Sequence, residues 1–201
     1  MNENHAIRPV IESVIESGCQ RLKLVDTARL FALVNIATED TTIAAFDSKY
    51  SYNLWRRYHA VRLADTDGNP GTEADPTRDW LFTAPRHQEY RSAHAVITTA
   101  FMKALVDLIG DDHTFTLSAS GHPGFTWTFD RFSDTAAQTM EARIWAGIHY
   151  RFSCNLGAEQ GMKIFDYVLE NFLLPLKDGD HDDDDGREGR EHQGRGGRHE
   201  P

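Results

Sequence analysis

The feature that most restricts the fold is an apolar segment bounded by a helix-start residue and a helix-stop residue. Ser92 precedes the segment, residues 95–109 are mostly apolar, and Gly110 follows directly. A serine side chain satisfies one of the free N–H groups at a helix start, and glycine commonly ends a helix. The segment is therefore predicted to be a buried helix against which the other elements pack.

Apolar residues recur at helical spacing in three further segments. One long helix is predicted to begin at an N-cap, Asp26, and to lead towards Lys49, and two more are predicted from about 134 to 150 and from about 156 to 174. Residues 65–91 carry turn and breaker residues, which predict a long loop, and residues 114–128 predict a loop or a loose hairpin. A further short helix is predicted from Pro9 through Cys19. Five or six helices with little strand make the expected fold class all-α, a helical bundle.

Composition bounds the number of domains and the classes of partner. With 201 residues, of which 40% are hydrophobic, the chain is expected to form one domain over residues 1–176. Residues 177–201 are mostly Gly, Asp, Arg and His, and this tail is predicted to be disordered. The formal net charge of −10 argues against a nucleic-acid partner.

Hydropathy and the first residues bear on membrane association. No segment approaches the roughly 20 apolar residues that span a bilayer, so no transmembrane segment is expected. The N-terminal residues have neither the basic region nor the apolar region of a signal peptide. The chain is therefore expected to be soluble, and its localisation is otherwise open.

Lys49 and Arg56 form the first of three motifs that could contact an oxyanion. They are seven residues apart and have aromatic neighbours. On a helix they would point the same way about 10 Å apart and could hold an anion from two sides. The alternative interpretation is a solvated, charged helix face.

The second and third motifs combine amide groups, an arginine and two histidines. Ser92, Ala93 and His94 open the apolar helix, where free N–H groups and the helix dipole favour an anion. Arg143 and His149 are six residues apart, so they converge only if the arginine reaches round the helix or the helix ends near residue 147. The alternatives are a capping serine with an incidental histidine, and a surface arginine with a half-buried histidine.

In this order and at these spacings the three motifs resemble the signature K-x6-R-P, P-S-G-H and S-R-x5-H. This is the signature of the superfamily of vanadium-dependent haloperoxidases and type 2 phosphatidic acid phosphatases. Residues from about 30 to 174 also resemble the bacterial and plant branch of the haloperoxidase-like group, including Asp75-Pro76, His87 and Glu89-Tyr90. The resemblance implies a helical bundle of that type. Members usually have a further helical region before it, so the chain looks like the C-terminal catalytic half.

Four positions depart from the signature. Arg57 and Arg91 stand where the family has proline, Ala93 stands where it has glycine, and Ala142 stands where it has serine. The alanine at position 93 hinders an oxyanion only if the anion must approach closer than a Cβ atom permits. The departures leave open whether the site is active.

The resemblance to haloperoxidases implies a vanadate cofactor and the substrates hydrogen peroxide and halide. In this scheme His149 is the metal ligand that binds vanadium, His94 transfers protons, and Lys49 polarises the bound peroxide. The residues that match the oxyanion-binding positions are Lys49, Arg56, Ser92, Ala93 and Arg143. His87 stands where halide preference is thought to be set, although a hydrogen-bonding role in the loop is an equal alternative.

Two other functions remain open on the same residues. As a phosphatase, the chain would hydrolyse a small phosphate ester without a cofactor, with His149 as the nucleophile and His94 protonating the leaving alcohol. As an inactive helical module, it would have kept the outline of the family with a degraded site. Helix faces left unpaired by a missing half would favour a homodimer.

Overall fold

The computed structural model describes residues 22–118 and 124–176, which form a helical bundle with one hairpin. Its helices are α1 (Leu24–Tyr52), α2 (Arg57–Arg62), α3 (Ala93–Ile109), α4 (Phe132–Trp145) and α5 (Arg151–Asn171), with a 3₁₀ turn at Ala64–Thr66. Strands β1 (Asp112–Ser118) and β2 (Thr126–Arg131) pair antiparallel. The predicted all-α fold class is confirmed. The predicted helix over residues 9–19 and the predicted disorder of residues 177–201 concern segments outside the described residues.

Helix α3 is the central element, as its apolar sequence predicts. It packs against α1, α4 and α5, and Ala95, Val96, Ala100 and Leu105 are fully buried. The Ser92 hydroxyl accepts a hydrogen bond from the backbone N–H of Ala95 at 3.4 Å, which confirms the predicted N-cap. Helices α1, α4 and α5 bury apolar side chains against this helix, with Leu33 and Val34 from α1, Phe132 from α4, and Phe165 and Val168 from α5.

Helices α3 and α5 approach very closely where α5 carries Gly161. A Cβ atom built on Gly161 would lie 2.2 Å from the carbonyl oxygen of Val96, far inside van der Waals contact. The absence of a side chain therefore sets the distance between these two helices. This contact lies one turn from the start of α3, so it also fixes the position of that helix start relative to α5.

Several predicted boundaries are wrong by a few residues. Helix α1 has Lys23 as its N-cap, with Asp26 in its first turn rather than at the cap. Helix α4 ends at Trp145 instead of about residue 150, because the chain turns at Gly147 with a φ of +75°. Helix α5 then begins at Arg151 rather than about residue 156. The long loop and the hairpin occur where they are predicted, apart from the short helical turns after Arg56.

The surface of the described residues includes large exposed apolar side chains on several helices. Among them are Ile43, Tyr50, Trp145 and Tyr167. These are the unpaired faces on which the expectation of a homodimer depends, and the dimer stays a prediction. Within residues 22–118 and 124–176, each helix is too short or too polar to cross a membrane.

Candidate oxyanion site

A small pocket of about 130 Å³ lies where α1, the loop before α3, the start of α3 and the turn after α4 meet. Its lining includes six of the predicted site residues: Arg56, His87, Ala93, His94, Arg143 and His149. Lys49 and Ser92 are fully buried beside these elements and do not line it. The fold therefore brings all three motifs to one place, and the volume suits a small ion rather than a drug-sized ligand, which needs about 300 Å³ or more.

Lys49 and Arg56 reach the site from separate elements rather than from one helix. Helix α1 ends at Tyr52, and Asn53 adopts a left-handed conformation that directs its N–H to the carbonyl oxygen of Lys49 at 3.0 Å. Arg56 has an extended backbone and occupies the N-cap position of α2. Arg57, which stands in place of the family's proline, starts this second helix and donates to the carbonyl oxygen of Ile144 at 3.2 Å.

The Lys49 ammonium group uses its three protons on backbone carbonyl groups. It donates to the carbonyl oxygens of Gln88 at 3.1 Å, Glu89 at 3.0 Å and Arg91. Burial and the neighbouring charge of Arg56 lower the pKa of Lys49 to about 8, which keeps the group protonated at neutral pH. Lys49 therefore holds the segment that precedes α3, with its charge close to the pocket.

Arg56 joins the two loops that carry the histidines. Its guanidinium donates to the carbonyl oxygens of His87 and Ile148, both at 2.9 Å. It also lies 3.1 Å from His149 Nε2 and 3.1 Å from His87 Nδ1. Since arginine has only donors, both imidazole nitrogens act as acceptors in these contacts.

Glu89 is a site residue whose role the motifs do not predict. Its Oε1 atom accepts from His149 Nδ1 at 2.8 Å and from the backbone N–H of Tyr150 at 2.9 Å. The Glu89 side chain is 0% exposed and that of His149 is 3% exposed. These bonds assign the proton of His149 to Nδ1 and leave a lone pair on Nε2. Glu89 lies among the residues that resemble the family, but sequence spacing gives no indication of a contact across 60 positions.

Burial keeps His149 neutral. Desolvation lowers the pKa of His149 to about 4, and the hydrogen bond to Glu89 opposes this shift without cancelling it. At neutral pH the imidazole is therefore uncharged, as a metal ligand or a nucleophile must be.

Arg143 is the cation with unused hydrogen-bonding capacity. Its Nε atom is buried, and no acceptor lies within reach of that atom among the described residues. Burial lowers the pKa of Arg143 from its usual value. Because α4 ends two residues beyond it, the backbone N–H groups of Ile148 and His149 return to the carbonyl oxygen of Arg143 at 3.3 and 3.4 Å. This turn satisfies the condition under which Arg143 and His149 converge.

His94 and His87 complete the pocket wall. His94 lines the pocket and is partly open to solvent. Desolvation by the surrounding protein and the charge of Arg143 lower its pKa to about 4. Burial and the charges of Arg56 and Lys49 also lower the pKa of His87, whose ring lies 5.3 Å from that of Phe46. Both imidazoles are therefore neutral at pH 7 and can accept a proton.

The charge balance of the site favours an anion. The three cations, Lys49, Arg56 and Arg143, exceed the single buried carboxylate, Glu89, by two charges, and the three histidines add none. Arg91, which replaces a proline of the family, is not counted among these cations, because its Nε donates to the Tyr90 hydroxyl at 3.0 Å and the residue does not line the pocket. The residues present therefore fit a tetrahedral oxyanion that carries about two negative charges.

Replacing Gly147 with alanine is expected to lower the free energy of unfolding by about 2 kcal/mol, since a left-handed non-glycine residue alone costs about 1–2 kcal/mol. The added Cβ would also lie 2.6 Å from the Trp80 ring. Urea denaturation measures the loss. Gly68→Ala is the matched control, because Gly68 has a similar φ of +78° with no atom near the added methyl group. Equal losses of unfolding free energy in the two variants would show that the close approach of Trp80 adds nothing to the cost of a side chain at position 147.

Comparison with protein families identifies the family to which the chain belongs. Residues 29–175 match the VCPO second helical-bundle domain, which covers most of the chain. The chain therefore belongs to the vanadium haloperoxidase superfamily, as the three motifs predict. None of the curated proteins matches it significantly.

Solved structures show the same fold. A bacterial vanadium-dependent iodoperoxidase superposes with a TM-score of 0.71 at 22% identity, over 82% of this chain and 38% of its own. An apo-type bacterial vanadium-dependent chloroperoxidase superposes with a TM-score of 0.68 at 17% identity, over 84% of this chain and 42% of its own. The chain thus spans about two fifths of the length of either protein.

Proposed function

We propose that the chain is the vanadate-binding part of a haloperoxidase, which uses hydrogen peroxide to oxidise halide. The observation that carries the proposal is the state of His149, which is buried, neutral and hydrogen-bonded through Nδ1 to a carboxylate. Its Nε2 lone pair accepts from Arg56 at the wall of a pocket with an excess of positive charge. This is the arrangement by which a protein holds an anionic metal oxide through one imidazole ligand.

Each site residue would contact a different part of the cofactor. His149 Nε2 would bind the vanadium atom, while Arg143 and Arg56 would donate to the oxygens of vanadate. The N–H groups at the start of α3, at Ala93 and His94, would face the same oxygens, with Ser92 capping that helix start. Bound vanadate supplies a Lewis acid that activates hydrogen peroxide towards halide. The imidazole of His94, which is neutral at pH 7, would take up the proton that peroxide loses.

Lys49 and Arg56 require a rearrangement if they are to contact the anion directly. Arg56 would exchange His149 Nε2 for an oxygen of the anion, and this exchange frees the nitrogen for the metal. Lys49 would have to release one backbone carbonyl, and otherwise it acts through its charge alone. Arg143 has no protein acceptor to give up at Nε, so its guanidinium could turn to the anion without such an exchange. His87 would set halide preference from the pocket wall.

A type 2 phosphatase is the second candidate, because a neutral histidine backed by a carboxylate also suits a nucleophile. Nε2 of His149 would attack the phosphorus of a small phosphate ester while the alcohol leaves with a proton from His94. That step requires a protonated His94, whereas the pKa of about 4 keeps it neutral in the free protein. A bound phosphate ester adds negative charge beside His94 and would raise its pKa, which would protonate the imidazole for this step.

Thermal melting of the purified chain with vanadate, phosphate or buffer alone tests the proposal. An anion at 100 times its Kd stabilises the folded state by about 2.7 kcal/mol, enough to raise the Tm of a chain of this size by several degrees. His149→Ala should remove the shift caused by vanadate. Peroxide-dependent bromination and p-nitrophenyl phosphate hydrolysis on the same samples then distinguish the two enzymes. No shift with either anion, together with no activity, would indicate an inactive module.

A further inference from the structure

Glu89 is a buried carboxylate in direct contact with the candidate metal ligand. Its side chain is fully buried, and one of its oxygen atoms, Oε1, accepts both from His149 Nδ1 and from the N–H of Tyr150. The second oxygen, Oε2, is buried without a hydrogen-bond partner among the described residues. Burying a carboxylate costs free energy unless its oxygens are hydrogen-bonded or paired with a cation, and Oε2 has no such partner. The contact with His149 therefore calls for a functional explanation.

The position of Glu89 is fixed from two sides. Lys49 donates to the carbonyl oxygen of Glu89 at 3.0 Å, and the backbone N–H of Glu89 donates to the carbonyl oxygen of Leu54 at 3.1 Å. Tyr150, whose N–H binds the carboxylate, is the residue next to His149 and the N-cap of α5. The carboxylate therefore orients the imidazole and the adjacent backbone together, and neither can turn without breaking a bond to the same oxygen.

We propose that Glu89 is a positioning residue that holds His149 in the Nδ1–H tautomer, so that Nε2, which lies 3.1 Å from Arg56 at the pocket wall, keeps its lone pair as an electron-pair donor. The inference rests on the proposed function for the identity of the ligand, but the tautomer is a property of the free protein. A carboxylate on the far nitrogen also makes the imidazole a stronger donor, because it stabilises the partial positive charge that forms when Nε2 binds a metal.

Glu89→Gln separates this role from simple support of the fold. The glutamine oxygen can still accept both N–H groups, and the amide nitrogen takes the place of the unpartnered Oε2, but the negative charge is lost. Vanadate should bind about 10–100-fold more weakly, as is typical when the second partner of a metal-bound histidine is removed. Phosphate forms no bond to Nε2 when it binds as an ion, so the loss of a nearby negative charge should leave its affinity equal or tighter.

Calorimetric titration of the whole chain with vanadate and with phosphate measures this difference. The ratio of vanadate affinity to phosphate affinity is expected to fall at least tenfold in Glu89→Gln relative to the parent chain. Glu141→Gln is the matched control, since Glu141 is a surface carboxylate paired with Arg151, and its ratio should not change. An unchanged ratio in Glu89→Gln overturns the proposal, because damage to the fold alone would weaken both anions together.

Nitrogen-15 spectra of the His149 imidazole in the anion-free chain give the second test. The expected result is a proton on Nδ1 and none on Nε2 at neutral pH. A proton on Nε2 overturns the proposal whatever the affinities are. If the parent chain binds neither anion, the proposed function fails, and the tautomer alone decides the role of Glu89.

Discussion

Replacing Lys49 with methionine is expected to lower the free energy of unfolding by about 3 kcal/mol or more, the usual cost of removing one partner from a buried charged cluster. The methionine side chain is unbranched like lysine and one heavy atom shorter, and it leaves the carbonyl groups of Gln88, Glu89 and Arg91 without their donor. It also leaves the Glu89 carboxylate with one cation fewer nearby. At about 2–4 °C per kcal/mol for a chain of this size, the Tm should fall by roughly 6–12 °C.

Arg143→Met is the matched variant, since it removes a cation from the same pocket that has an unpartnered Nε donor. Its unfolding free energy should stay within about 1 kcal/mol of the parent value, because no buried acceptor loses its donor. The same variant should lose most of the stabilisation by vanadate. Calorimetric melting of both variants, with and without the anion, measures the contrast. Equal Tm values for Lys49→Met and the parent chain would contradict the structural role of Lys49.

Gly161→Ala is the second substitution with a large expected effect. The added Cβ would lie 2.2 Å from the carbonyl oxygen of Val96, and since that atom belongs to a helix backbone, α3 and α5 must move apart. Overpacking of this kind costs about 1–3 kcal/mol or more, while alanine returns about 1 kcal/mol of helix propensity. A net loss of about 2 kcal/mol is expected in urea denaturation.

Gly157→Ala provides a graded control on the same face of α5. Its Cβ would lie 3.1 Å from the carbonyl oxygen of Ser92, a contact that small shifts can relieve. The loss should therefore be smaller than at Gly161. If Gly161→Ala stabilises the chain, the close approach of the two helices is wrong.

The sequence predicts the parts of this fold that depend on local patterns. The cap at Ser92, the stop at Gly110 and the apolar run between them determine α3, and the three motifs identify the residues that surround the pocket. The end of α4 is harder to predict. The chain leaves the helix through a left-handed turn at Gly147, and this turn lies against the Trp80 ring, a contact that the local sequence does not encode.

Contacts between distant segments are the part that spacing does not encode. Sequence reasoning assigns Lys49 and Arg56 to an anion, whereas in the structure both donate hydrogen bonds to protein groups. Glu89 and His149 are 60 positions apart and meet through tertiary packing, so no local pattern predicts this bond. Assignment of donors and acceptors to a partner therefore requires three-dimensional coordinates even where the residues themselves are correctly identified.

The contact between Arg56 and His149 Nε2 bears on which metals the protein admits. A free imidazole nitrogen is an excellent ligand for divalent copper, nickel or zinc. Here that nitrogen lies 3.1 Å from a guanidinium group, and Lys49 and Arg143 add further positive charge. A metal cation would have to displace Arg56 against this repulsion, whereas a metal that arrives as an oxyanion replaces His149 as the acceptor of Arg56. The site would therefore favour an anionic metal oxide over a metal cation.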